Sequence, residues 1–141
     1  MGDEKPKQNL LWQEVSTSAG ARAAANHGVG AAGIVAAVTL GATLLSMSGT
    51  AVLGLNAWAF LDVGLFAAVA FGIWRMSRTA AVLGLGLYLF EQVYQLVVAG
   101  PLNPIMAMFF TLFFVHGVRG TFAFHRLAEQ AQTAPPEAPP A

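Results

Sequence analysis

The sequence predicts an all-α integral membrane protein that folds as an antiparallel four-helix bundle with both termini in the cytoplasm. Four apolar stretches of about 20 residues, the length that crosses a bilayer, lie at roughly 28–47, 56–74, 80–99 and 104–124. The Lys and Arg residues fall before the first stretch, between the second and third, and at the end of the fourth. Because basic residues are retained in the cytoplasm during insertion, this alternation indicates four spans and an N-in, C-in topology. The basic residues in question are Lys5, Lys7, Arg22, Arg75, Arg78, Arg119 and Arg126, whereas segments 48–55 and 100–103 carry no charge.

Composition supports a membrane protein and excludes several other classes. Charged residues make up 10% of the chain and hydrophobic residues 56%, whereas about a quarter of a typical soluble domain is charged. A net charge of zero without a basic cluster indicates no nucleic-acid partner. The absence of Cys excludes disulfides, thiol catalysis and Cys-ligated metals.

The chain divides into three regions. Residues 1–27 form a cytoplasmic N-terminal segment, in which residues 9–18 are either a short interfacial helix or an unstructured lead-in. This segment lacks the apolar core of a secretory signal, so the first span is expected to remain as a permanent anchor. Residues 28–126 form the four-helix domain, and residues 127–141 are an Ala/Pro-rich cytoplasmic tail that we expect to be disordered.

Two short connections set the order of the helices. The turn at residues 75–79 is tight enough to make spans two and three antiparallel neighbours, and residues 100–104 do the same for spans three and four. In the second connection, Asn103 is expected to cap the fourth helix while Pro104 takes its first position.

Small residues recur at every fourth position in the first two spans. The repeats are Gly33, Ala37 and Gly41 in span one, and Gly64, Ala68 and Gly72 in span two. Such strips allow close helix contacts in lipid, where packing replaces the hydrophobic driving force. Three interpretations remain open: the strips pack on each other, one of them forms a dimer interface, or they reflect only the Ala/Gly richness of the helices.

Four ionisable residues lie inside the apolar stretches. These are Asp62, Glu91, His116 and Arg119. Such groups are costly in lipid and normally face protein or water. Helical spacing puts Tyr88, Glu91 and Gln95 on one face of span three, and His116 and Arg119 on one face of span four. The simplest arrangement turns these faces together, so that Glu91 pairs with His116 or Arg119. Gly117 and Gly120 leave backbone uncovered beside them, which allows close approach of a helix or ligand.

This polar group has two interpretations. A Glu–His or Glu–Arg pair can lock two helices in register, or Glu91 can serve as a proton, ion or ligand site. Arg119 can also extend to the headgroups. The three His residues, His27, His116 and His125, lack metal-ligand spacing, and His27 and His125 are expected to be solvated or to face headgroups. No cofactor motif and no catalytic triad are recognisable.

The end of span four resembles a known group of proteins. Residues 113–126 read Phe-Phe-Val-His-Gly-Val-Arg-Gly-Thr-Phe-Ala-Phe-His-Arg. This string is similar to the last helix of small uncharacterised bacterial four-span integral membrane proteins, which closes with a G-V-R-G-T-F-x-F-H-like motif. The resemblance implies a role for Arg119, Gly120, Thr121 and His125. A membrane Glu in four short spans is also similar to small multidrug resistance transporters, but their Glu lies in the first helix, where this chain has none.

These observations lead to one functional expectation and one alternative. We expect a non-enzymatic, multi-pass protein of the bacterial inner membrane that acts through helix contacts, as an accessory subunit, an assembly factor or a homo-oligomer. Its partners would be the lipid bilayer and either further copies of itself or other membrane subunits. The alternative is a small transporter or proton-coupled permease that uses Glu91. A membrane enzyme is a third possibility, against which only the lack of a convergent polar constellation argues.

Overall fold

The computed structural model describes residues 14–49, 59–98, 100 and 103–134, and within these ranges it is all-α, without strands. The four helices are α1 (Ser18–Met47), α2 (Ala59–Trp74), α3 (Arg78–Val98) and α4 (Pro104–Thr133). Helices α1, α3 and α4 are long and apolar enough to cross a membrane, whereas α2 is apolar but shorter, with 16 residues. The all-α prediction is therefore confirmed for the described chain.

The two long helices extend beyond the predicted spans. Helix α1 begins at Ser18, capped by the Thr17 side chain, which accepts a hydrogen bond from the Gly20 amide at 3.1 Å. An Ala-rich segment follows, and alanine has the highest helix propensity. Helix α4 continues through residues 127–133, where the disordered tail was expected to begin. Residues 14–17 are not helical, and the rest of the predicted interfacial helix before them lies, with all of residues 1–13 and 135–141, outside the described residues.

The start of α4 matches the sequence prediction in detail. Asn103 adopts an extended conformation, and its side chain accepts a hydrogen bond from the Met106 amide at 3.2 Å. Pro104 occupies the first turn, where its missing N–H costs no helical hydrogen bond. The predicted cap is confirmed.

The turn between α2 and α3 is a Schellman-type helix end. The Ser77 amide donates to the Gly72 carbonyl at 2.9 Å, and the Met76 amide donates to the Ile73 carbonyl at 2.8 Å. Met76 has φ 59°, a left-handed conformation in which glycine is more usual. The Ser77 hydroxyl then accepts from the Ala80 amide at 3.2 Å and caps α3. The helices on either side become antiparallel neighbours, as the short turn predicts.

The bundle has the order α1, α2, α3, α4 around its axis. Helix α1 packs most extensively on α4 and on α2, and α3 completes the ring against α4 and α2. The core contains fully buried Phe66, Ile73 and Phe114, with Tyr88 beside them and small alanines contributed by α1. Because alanines line the α1 side, the large side chains of the other helices fill the interior.

Helices α1 and α4 meet backbone to backbone along a line that we call the glycine seam, made by Gly28, Gly117 and Gly120 with the alanines opposite. A Cβ added to Gly28 would lie 2.7 Å from the Gly117 Cα, and one added to Gly117 would lie 2.9 Å from the Gly28 Cα. Gly120 lies against Ala21 and Ala25, where a Cβ would come within 2.9 Å of the Ala25 Cα. Helices in lipid pack closely where small residues meet, and in this seam the two backbones themselves are in contact.

The predicted small-residue strips lie elsewhere. A Cβ at Gly33, Gly41 or Gly64 would meet no atom within 4 Å, so these residues do not form a close contact within the described chain. Ala37 and Ala68 are exposed. Gly72 differs, because a Cβ there would collide with the Ala80 side chain at the start of α3. The strips therefore do not pack on each other, and the dimer-interface interpretation stays a prediction.

The arginines within the described ranges all come to one end of the bundle, which we call the basic end: Arg22, Arg75, Arg78, Arg119 and Arg126. The His125 Nε2–H donates to the Met76 carbonyl at 2.9 Å and holds the end of α4 against the α2–α3 turn. The folded chain thus gathers charges that the sequence places far apart.

Candidate functional site

The structure separates the four predicted intramembrane residues into three clusters. Asp62 and Glu91 form an acidic pair between α2 and α3. His116 lies in the glycine seam beside His27, and Arg119 lines a cavity at the basic end. Only the first of these clusters brings together two of the predicted residues.

The acidic pair lies on the side of the bundle where α2 and α3 meet. Both carboxylates are half-buried and close enough for their like charges to repel each other. Among the residues that the structure describes, Glu91 forms no ion pair. Like charges at this distance in a partly buried site cost free energy when both carboxylates are ionised.

The expected pairing of Glu91 with His116 or Arg119 is therefore wrong. His116 is fully buried, with its ring 5.7 Å from the ring of His27 in α1. Arg119 lies one turn further along α4, at the basic end. The prediction assumed that the polar faces of α3 and α4 meet, whereas the close packing of Gly117 and Gly120 turns this part of α4 toward α1.

Tyr88 anchors α3 on α4. Its side chain is 4% exposed, its ring stacks on Phe114 at 5.1 Å, and its hydroxyl donates to the Ala107 carbonyl at 3.4 Å. Glu91 follows one turn later, at the edge of the same face. Tyr88 therefore packs α3 on α4, one helical turn before Glu91.

Beyond the acidic pair, the described part of the chain covers little of α3. Residues 93–98 are all exposed, although they span more than one full helical turn. Gln95 is exposed, and with Gln92 it lines a cavity of about 250 Å³ between the ends of α3 and α4, bounded also by Asn103 and Ala107. This part of the predicted polar face points away from the packed interior.

The histidine pair was not predicted. His27 stacks on Phe113 at 5.3 Å, and its ring meets the ring of His116 edge to face. The Nδ1 of His27 is buried and has no hydrogen-bond partner among the described residues. The sequence had predicted that His27 is solvated or faces headgroups, and the ring contacts with Phe113 and His116 were not foreseen. The sequence did contain a signal: the dipeptide His-Gly occurs in both α1 and α4, and antiparallel contact of Gly28 with Gly117 brings the preceding histidines together.

His125, which was expected to be solvated or to face headgroups, makes a contact that the sequence did not predict. Its ring is half-buried and donates the hydrogen bond to Met76 already described. Sequence reasoning could not find this contact because the acceptor is a backbone carbonyl in a turn, which carries no side-chain signature.

The cavity at the basic end, which we call the arginine cavity, has a volume of about 550 Å³. It is lined by Val15, Arg78, Arg119, Phe122, Ala123, Arg126 and Glu129. Arg78 Nη2 lies 3.3 Å from Glu129 Oε1, and its guanidinium carbon lies 5.4 Å from the centre of the Phe122 ring. Among the described lining residues, three are arginines and one is a glutamate, which forms the ion pair with Arg78.

Comparisons with known proteins do not assign these clusters. The chain matches no family model, and no curated protein or solved structure is significantly similar to it. Within the described ranges, no three His, Asp or Glu side chains come close enough to hold one metal ion.

Proposed function

We propose that the protein is a non-enzymatic component of the bacterial inner membrane that acts through contacts of its transmembrane helices. In this proposal all four helices span the membrane and the basic end faces the cytoplasm. The gathering of the arginines at one end supports this orientation, because basic residues are retained in the cytoplasm during insertion. At the opposite end, the described residues nearest the turns, such as Ser48 and Asn103, are uncharged.

The observation that supports a contact function most directly is the uncovered end of α3. Tyr94 is 61% exposed and Val97 79% exposed, while Gln95 between them is exposed and polar. Polar side chains in a membrane normally face protein or a water-filled cavity. A partner helix that covers residues 91–98 would satisfy Gln95 and shield Glu91 from lipid, which the described part of the chain does not do.

The small-residue strips offer a second surface for such contacts. Gly33 and Gly41 on α1, and Gly64 on α2, lie on the outside with open space where a Cβ would be. Small residues on an outer face let another helix approach until the backbones touch. The partner is either a second copy of this chain or another membrane subunit.

The test is purification of the intact chain in mild detergent through a C-terminal tag, followed by native mass spectrometry. We expect a homo-oligomer or a stoichiometric foreign subunit. The variant Gln95→Leu should reduce the associated fraction, because it removes the polar group that the partner satisfies. Leu83→Ala, at a side chain of α3 that is 62% exposed but far from residues 91–98, is the matched control and should leave association unchanged. A monomer in native membranes as well as in detergent would contradict the proposal.

The acidic pair favours a second candidate, a small transporter or proton-coupled permease. Asp62 and Glu91 interact across the α2–α3 contact, and neither is fully buried. A carboxylate such as Glu91 inside a predicted span can take up a proton from one side of the membrane and release it to the other. Proteoliposomes that contain a pH-sensitive dye would test it: Glu91→Gln should abolish a proton flux that the unmodified protein conducts. Absence of a proton flux in the unmodified protein would contradict this candidate, and the contact function would then be the remaining proposal.

A further inference from the structure

The contact between His27 and His116 lies inside the glycine seam. The centres of the two rings are 5.7 Å apart, and the rings meet edge to face. Each histidine directly precedes a glycine of the seam, Gly28 in α1 and Gly117 in α4, and these two glycines are in backbone contact. The distance between the two rings is therefore linked to the distance between the two helices.

The surroundings of His27 favour a ring without charge. Its ring is half-buried and stacks on the apolar ring of Phe113 at 5.3 Å. Its Nδ1 is buried and has no hydrogen-bond partner among the described residues. A neutral imidazole has one nitrogen without a proton and can leave this Nδ1 bare, whereas both nitrogens of a protonated ring are donors. Protonation would therefore bury an N–H without an acceptor, which costs free energy.

The charged groups on the packed helices do not include an ion-pair partner for His27 within the described ranges. His116, on the facing helix, is the titratable group that interacts with His27, and both become positive when protonated. The described carboxylates of the bundle have other neighbours, because Asp62 and Glu91 lie together between α2 and α3, and Glu129 pairs with Arg78. The remaining charged or titratable groups that α1, α2 and α4 bring to this half of the bundle are Arg22, Arg75, Arg119, His125 and Arg126.

We propose that the His27–His116 contact makes the glycine seam sensitive to acid. The seam stays closed while the two rings carry at most one proton between them, and it loosens when both are protonated. Two positive rings at this separation repel each other, and a partly buried site screens the repulsion less than water does. This device concerns the contact of α1 with α4 and not the uncovered end of α3, so it stands apart from the proposed contact function.

The direction of the pH effect follows from proton linkage. Histidines of the opened chain take up protons around their ordinary pKa of about 6.5. The closed seam resists the second proton, so opening binds protons. The stability of the closed seam is then complete above about pH 6.5 and is lost progressively as the pH falls below that value.

Hydrogen–deuterium exchange of the full chain in an uncharged detergent measures this opening. Exchange is compared at about pH 8 and about pH 5, on either side of the ordinary histidine pKa, after correction for the intrinsic pH dependence of exchange. Peptides that cover residues 21–36 and 113–124 report the seam, and a peptide that covers residues 80–90 of α3 is the reference. A histidine kept neutral in the closed seam at pH 5 shifts the opening equilibrium by up to about thirtyfold. We expect the seam peptides to lose protection by up to this factor and the α3 peptide to lose less. Equal corrected protection of the seam at both pH values would overturn the proposal.

Two variants separate the pair from general histidine titration. His27→Phe keeps a ring that can stack on Phe113 but takes up no proton, so it should remove most of the acid effect on the seam. His125→Gln removes the third histidine, which contacts Met76 and not the pair, and it should retain the full acid effect. An unchanged acid effect in His27→Phe would overturn the proposal, and so would an equal reduction in both variants.

A titration of the unmodified chain keeps the proposal testable if His27→Phe fails to fold. Nuclear magnetic resonance of the chain with ¹⁵N-labelled histidine follows all three rings, and His125→Gln identifies the signal that does not belong to the pair. Interacting groups titrate in two separated steps. We expect the two seam histidines to take up their protons in separate steps, with the second step below the ordinary pKa of about 6.5. Two independent titrations near that value would overturn the proposal.

Discussion

Gly28 of α1 and Gly117 of α4 lie so close that neither position has room for a side chain: a Cβ on Gly28 would be 2.7 Å from the Gly117 Cα. This contact sets the antiparallel register of the two longest helices. It brings His27 beside His116 and Arg22 over the ring of Phe124, at 4.9 Å. One contact between two glycines therefore determines the neighbours of several polar residues.

The first prediction concerns this contact. Gly28→Val should lower the free energy of unfolding in detergent by about 1–3 kcal/mol, the usual cost of overpacking. Gly30→Val, two residues away on the same helix, should have little effect because a Cβ there meets no atom within 4 Å. Thermal unfolding followed by circular dichroism measures both. Equal loss from the two variants would show that valine in α1, rather than the seam, is responsible.

A second prediction concerns the hydrogen bond from His125 to the Met76 carbonyl. His125→Phe keeps a ring of similar size but removes the donor, and should lower the free energy of unfolding by about 1 kcal/mol. His125→Gln can still donate through its amide and should lose less. Limited proteolysis at the α2–α3 turn provides a local readout, with faster cleavage expected in His125→Phe. Identical cleavage rates in both variants and the unmodified protein would contradict the proposed role of this bond.

The third prediction separates the acidic pair from a structural ion pair. Because Asp62 is the charged neighbour of Glu91, Glu91→Gln should leave the unfolding temperature unchanged or raise it by relieving repulsion. Removal of one partner of a buried ion pair would instead cost about 3–5 kcal/mol. Asp62→Asn should act in the same direction. A large loss of stability in either variant would show that its carboxylate has a cationic partner.

The fourth prediction tests the proposed orientation in the membrane. The chain contains no cysteine, so single cysteines report their own accessibility. Ser48→Cys should react with a membrane-impermeant maleimide added outside intact cells, after the outer membrane has been permeabilised. Thr133→Cys should react only after the inner membrane is opened as well. The reverse pattern would invert the topology, and reaction of both cysteines from the same side would contradict an odd number of spans between them.

Much of the fold could be predicted from the local sequence. Helix caps at Asn103 and Ser77, the tight turn at 75–79 and the apolar stretches all depend on residues close together in the chain. The candidate site was predicted less well. Glu91 and Asp62 were recognised, but the partner assigned to Glu91 was wrong, and neither His27 nor the arginine cavity was foreseen.

The sequence by itself determined that the chain is helical, where its turns lie, and that its basic residues alternate with uncharged connections. These properties follow from local backbone preferences and hydropathy. Only the tertiary structure decided which small residues form the seam and which charged groups become neighbours. In an apolar helix both the lipid face and the buried face are hydrophobic, so periodicity does not show which face points inward. Only the register of α1 on α4 shows that Gly28, and not Gly33, lies in the seam. The same register shows that His116 lies beside His27 and not beside Glu91.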